Sequence, residues 1–177
     1  MLGVIEVRRA EGRALRLLGR NEDSATAIAS ASSLAEARGV SQPQMIARLY
    51  RSAAFVAEAQ GHSGAALSGF SASTEAFARA LPGTRTYAET GLLWAAQLAR
   101  SGNKDEALAA CRGAAKVLRE ARTGTSGELL QPCLEIFAAE AATAPDAGSP
   151  CWRRCSKSAS WHKAASPAAR SARPARA

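Results

Sequence analysis

Aromatic side chains make up only 5% of the 177 residues, and nowhere do β-branched or aromatic residues alternate with polar ones over the length of a strand. Sheet architectures, which fill their cores with such residues, are therefore excluded. No run of 18 apolar residues exists, so no bilayer-spanning helix is expected. The stretch from Met1 to Val7 is too short for a secretory signal and is followed by alternating charges. The four cysteines, Cys111, Cys133, Cys151 and Cys155, lack the spacing of a disulfide framework. A reducing, cytoplasmic setting is the resulting expectation, with secretion by an unusual route as the alternative.

Acidic residues are missing from one region. From Pro150 onward stand Arg153, Arg154, Lys157, Lys163, Arg170, Arg173 and Arg176, and no acid. These seven of the 23 basic residues leave 16 against 15 acids before them, so the net charge of +8 belongs to the tail. Long-range attraction to nucleic acid at low salt is expected of such a tail. Specific nucleic-acid recognition is not, because only Trp152 and Trp161 are there to stack on bases.

What is abundant is alanine, the best helix former, whose small side chain lets helices approach closely. Three stretches can be laid over one another: Leu18-Gly19-Arg20-Asn21-Glu22-Asp23-Ser24-Ala25, Gln60-Gly61-His62-Ser63-Gly64-Ala65-Ala66-Leu67 and Ser101-Gly102-Asn103-Lys104-Asp105-Glu106-Ala107-Leu108. Their glycines stand 42 and 41 residues apart, a period that points to stacked helical repeats. Around them the apolar periodicity predicts hairpins. The first pairs a helix over 4–18, with Ile5, Ala10, Ala14, Leu15 and Leu18 on one face, with a helix over 22–37 whose stripe is Ala27, Ile28, Ala31, Leu34 and Ala35. The second pairs a helix after Pro43, carrying Met45, Ile46, Leu49, Tyr50, Ala53, Phe55, Val56 and Ala57, with one over 65–81. The third pairs 85–100 with 104–121, and a helix over 128–142 lacks a return partner. That last helix is expected to expose Leu129, Leu134, Ile136 and Phe137 and so to promote self-association.

From Ala144 the text becomes rich in Pro, Ser, Ala and basic residues without periodicity, so residues 144–177 are expected to form a disordered tail behind a helical domain at 1–143. Regrouping codons by one base from Cys151 turns Cys151-Trp152 into Leu, Trp161-His162 into Ala and, if no stop intervenes, His162-Lys163 into Gln. With GC-rich codons the shifted text has helix-forming composition, which predicts a frameshifted, truncated reading of a longer gene.

The repeats resemble tetratricopeptide (TPR) units of the long variety, about three and a half units of ~42 residues. The family's small position at the start of the second helix falls on Ser24, Ala66 and Ala107. The large and small positions after it fall on Ile28 with Ala31, Phe70 with Ser73 and Cys111 with Ala114, and the close-crossing position on Gly12, Ala54 and Ala95. The family's early aromatic appears only as Tyr50. Tyr50-Arg51-Ser52-Ala53-Ala54-Phe55-Val56-Ala57-Glu58, Arg79-Ala80-Leu81-Pro82-Gly83 and Ala107-Leu108-Ala109-Ala110-Cys111-Arg112 are similar to the repeat region of bacterial TPR proteins that carry a CHAT, caspase-like peptidase domain, which is absent here. The resemblance implies an all-α, right-handed superhelix of antiparallel hairpins. It also implies ligand-facing positions at Arg9, Arg13, Arg48, Arg51, Phe55, Glu58, Glu89, Leu92 and Arg100. Guanidinium groups fork onto carboxylates, so an acidic or C-terminal carboxylate peptide would suit such a groove. The alternative is an ordinary solvated face.

Nothing in the chain spells catalysis. Cys151 and Cys155 with His162 match no strong zinc pattern, so no metal or other cofactor is expected. A nucleophile pair would need Cys111 or Cys133 near His62 or His162, yet Cys111 holds a helix-packing position where buried free cysteine serves as a small apolar group. Gly124-Thr125-Ser126-Gly127 follows no strand and lacks the lysine of a phosphate loop. The expectation is a non-catalytic protein-interaction scaffold. Alternatives are the regulatory or substrate-recruiting arm of a CHAT cysteine peptidase system and a small basic nucleic-acid-associated protein.

Overall fold

Glycine sets the bends. In the computed structural model, which describes residues 2–143, Gly19, Gly61 and Gly102 have φ of 74°, 78° and 85°, a region a side chain would disfavour. The next residue's amide then reaches back five positions: Arg20 to the Leu15 carbonyl at 2.9 Å, His62 to Ala57 at 2.8 Å and Asn103 to Leu98 at 3.0 Å. This is a Schellman closure made three times over. Each bend hands directly into the next helix, whose preceding residue has φ near −82° and ψ near 68° in all three cases.

The helices so joined are α1 (Leu2–Leu17) with α2 (Asn21–Ala37), α3 (Pro43–Ala59) with α4 (Ser63–Ala80), and α5 (Arg85–Arg100) with α6 (Lys104–Glu120); α7 (Gly127–Thr143) follows. The described residues are all-helical, with no strand. Partners run antiparallel. Gly12 lies against Ile28 and Ser24, while Ile5, at the other end of α1, packs with Ala31 and Ala35. In the second pair Ala54 meets Ala66 and Phe70, and Ala47 meets Ala76 and Phe77. All twelve repeat positions (Gly12, Ala54, Ala95, Ser24, Ala66, Ala107, Ile28, Phe70, Cys111, Ala31, Ser73 and Ala114) are buried. Two of them are hydroxyls and find carbonyls: Ser24 Oγ donates to Gly12 O and Ser73 Oγ to Ala47 O, each at 2.7 Å. A buried hydroxyl without such a partner would be costly.

No hairpin keeps its core to itself. Met45 and Leu49 of α3 join the cluster of α1 and α2, Tyr87 of α5 packs on Ala47 and Phe77, and Leu93 and Trp94 pack on Ala54 and Phe70. Where neighbours are missing, the expected stripes thin out. Ala10, Ala14 and Leu18 are exposed, as are Tyr50 and Ala53. No helix precedes α1 among the described residues, and its face packs chiefly on α2 and α3. α1 therefore seals Ile5 and Gly12 alone.

Cysteine departs most from expectation. Cys111 of α6 and Cys133 of α7 form a disulfide with Cα atoms 5.6 Å apart, so Cys111 is not a free apolar thiol and the absence of a framework pattern was no guide. The bond sits in a cluster with Ala88, Leu92, Ala95, Ala114 and Leu118, against which Leu129, Leu130, Ile136 and Phe137 pack partly buried. Of the four apolar residues expected to be exposed on α7, only Leu134 is, at 62%. Met1–Ala141 make one compact unit. The expected tail, its frameshift, Cys151, Cys155, His162 and the two tail tryptophans lie outside the described residues.

Candidate functional site

Helical spacing lines up the arginines. Arg9, Arg13 and Arg16 fall on one face of α1, and Arg48, Arg51 and Phe55 on one face of α3. Between these faces lies a cavity of about 250 Å³. α1 lends it Arg9, Arg13 and Arg16, α3 lends Arg51, Ser52 and Phe55, α5 lends Glu89 and Leu93, and α7 lends Leu129.

Each cation is held differently. Glu6 takes both Arg9, whose Nε donates at 2.8 Å, and Arg48, whose Nη1 donates at 3.0 Å across from α3. Burial would raise the Glu6 pKa, but the two arginine hydrogen bonds and their charges outweigh it and hold the carboxyl below its ordinary range. Arg51 donates from Nη1 to Thr90 Oγ1 at 3.2 Å and lies over the Phe77 ring at 5.3 Å. Its pKa is pulled below the ordinary guanidinium value, first by burial and then by the positive charge of Arg9, against a smaller opposing pull from Glu89 and further repulsion from Arg48 and Arg13. It remains charged nonetheless. Arg16 stacks over Phe55 at 4.9 Å, and Phe55 in turn meets Phe70 edge to face at 5.2 Å. The Arg13 side chain makes no ion pair or hydrogen bond among the described residues.

The carboxylates do not balance this. Glu6 is shared by two arginines, and Glu89 Oε1 already accepts from Arg85 Nε at 2.7 Å and Thr125 Oγ1 at 2.9 Å. An anion entering here would meet guanidinium forks beside an aromatic and two leucines, an amphipathic receptacle for a carboxylate on an apolar stem.

The ligand-facing set therefore divides. Arg9, Arg13, Arg51, Phe55 and Glu89 line the cavity; Arg48 stands beside it, holding Glu6. Glu58 and Arg100 pair with each other outside the cavity lining. Leu92 is 1% exposed and belongs to the core; its neighbour Leu93 faces the cavity, because one residue is about 100° of helix rotation. Arg16 and Leu129 were missed. The first continues the Arg9 and Arg13 spacing and was legible; the second depends on where α7 packs.

No group of three or more His, Cys, Asp or Glu able to hold a metal occurs among the described residues, and no helix there is long and apolar enough to cross a membrane. Cys111 and Cys133 spend their sulfurs on each other, while His62 is the exposed N-cap residue of α4. No protein-family model matches the chain, and no curated protein is significantly similar to it.

Proposed function

We propose that this chain is a non-catalytic protein-interaction scaffold of the tetratricopeptide type, and that its arginine-lined groove receives an acidic segment of a partner protein. The equivalence of the bends at Gly19, Gly61 and Gly102 supports the repeat reading. The observation that carries the ligand class is the convergence of Arg9, Arg13, Arg16 and Arg51 on one cavity in which Arg13 has no protein partner. Burial is the main cause of the lowered Arg51 pKa, and the positive charges of Arg9, Arg48 and Arg13 add to it; a bound carboxylate would offset that repulsion. A peptide with an acidic group and one apolar side chain uses both the cations and the Phe55, Leu93 and Leu129 wall.

Fluorescence anisotropy with a labelled hexaglutamate peptide tests this on the full chain. Binding is expected at low salt, weakening as salt screens the charges. Arg13→Glu should lower the affinity about tenfold or more without lowering thermal stability, since Arg13 holds nothing in place and only adds to the repulsion on Arg51. Equal hexaglutamate affinity of the native chain and of Arg13→Glu would refute the acidic-ligand assignment, because the basic tail attracts a polyanion in both.

A further inference from the structure

We propose that the Cys111–Cys133 disulfide is a reducible latch on α7, and that a dithiol reductant releases this helix and with it one wall of the arginine-lined groove. The second half rests on the groove being the ligand site; the first does not.

α7 is held by little besides its covalent bond. Among its described side chains only Cys133 is buried, whereas α6 buries four residues, α2, α3 and α4 five each and α5 seven; α1, which buries only Ile5 and Gly12, is similarly thin but carries no covalent tie. The residue that anchors the helix is thus the one that carries the covalent bond. Immediately before it stands Pro132, inside the helix, which has no N–H to give to the Glu128 carbonyl and so weakens the turn that presents the sulfur. Leu129, Leu130, Ile136 and Phe137 are only partly buried against α5 and α6. A polar tie runs from Arg112 to the two oxygens of Glu140, at 2.7 and 2.9 Å, where both side chains are substantially exposed. Such pairs contribute little.

Both sulfurs are sealed, Cys111 at 0% and Cys133 at 2% exposure, so exchange follows local opening of α7 rather than direct attack on the closed helix. A thiolate of the dithiol then attacks Cys133 Sγ, the S–S bond breaks, and Cys111 leaves as a thiolate that takes up a proton. The reductant's second thiolate attacks the reductant's own first sulfur, closing the reductant's disulfide and releasing Cys133 as a thiolate, which is protonated in turn. Two electrons and two protons pass to the protein. A disulfide oxidant runs the sequence backwards.

The groove feels this through two contacts. Leu129, one helical turn before Cys133, lines the cavity, and Thr125 Oγ1 in the approach to α7 donates to Glu89 Oε1 at 2.9 Å. Losing both removes an apolar wall and leaves the Glu89 carboxylate to Arg85 alone.

Amide hydrogen exchange by mass spectrometry on the full chain, oxidised and in dithiothreitol, with alkylation to map free thiols, decides the matter. Reduction should speed exchange across residues 127–141 about tenfold or more and leave residues 21–100 unchanged. Cys133→Ala should reproduce this without reductant. The latch is refuted if exchange in α7 does not respond, if acceleration spreads through all helices, or if the bond survives dithiothreitol under native conditions. Hexaglutamate affinity measured alongside should fall about threefold or more on reduction; equal binding in both states would sever the latch from the groove. Should hexaglutamate bind in neither state while α7 still responds, the ligand assignment fails and the latch stands.

Discussion

Whether a glycine tolerates a methyl group depends on what the methyl would meet. A Cβ on Gly69 of α4 would lie 2.9 Å from the Ala54 Cβ and 3.2 Å from its Cα, atoms that no rotamer change can move. Overpacking of this kind costs about 1–3 kcal/mol, more than the ~1 kcal/mol that alanine gains over glycine in a helix. Gly113 of α6 has nothing within 4 Å of such a Cβ. Gly69→Ala should therefore lower the melting temperature and Gly113→Ala raise it, each by a few degrees and in opposite directions, as calorimetry would record. The buried small positions were legible in the sequence because a repeat displays each role three times, so that Gly12, Ala54 and Ala95 explain one another. Gly69 was not, since Ala27 and Ala110 stand at the matching places of the other two hairpins and give no hint that a glycine is needed there.

Between elements, the charge bridge from α1 to α3 is the one whose pH dependence has a clear sign. Glu6 has a folded pKa below its ordinary value, so it favours the folded state above the unfolded pKa, and that contribution fades as pH falls through the folded one. The melting temperature of wild type minus that of Glu6→Gln should be positive near neutrality and shrink toward zero as pH falls through the ordinary carboxylate range and below it. A difference that stays constant over that range would contradict the assignment. Helix boundaries were readable to within two residues at each end, since caps and glycine bends act locally. Exposure within a helix was harder: Ala10, Ala14 and Leu18 look like a buried face by spacing, but α1 lacks a preceding helix among the described residues to cover them. The same locality hid Arg16 over Phe55, a contact between hairpins.

For the molecule as a whole, apolar exposure concentrates at the ends of the series. Leu2, Val4 and Val7 on α1 are exposed, as is Leu134 on α7. The self-association expected of an unpartnered last helix accordingly has a smaller surface to use than the sequence implied, centred on Leu134. Sedimentation velocity should show association that weakens when Leu134 is replaced by Glu; association unaffected by that change would place the contact elsewhere. The disulfide could not be anticipated, because a separation of 22 residues has no signature until the hairpin geometry brings α6 and α7 together. In the chain-entropy picture, closing a loop of that size contributes about 3 kcal/mol, a sizeable share of what holds an ordinary domain folded. There is a mechanical side to it. Pulled along its length, the chain would peel apart hairpin by hairpin, yet the 22-residue span from Cys111 to Cys133 would refuse to pay out, withholding roughly 75 Å of contour until the sulfurs part.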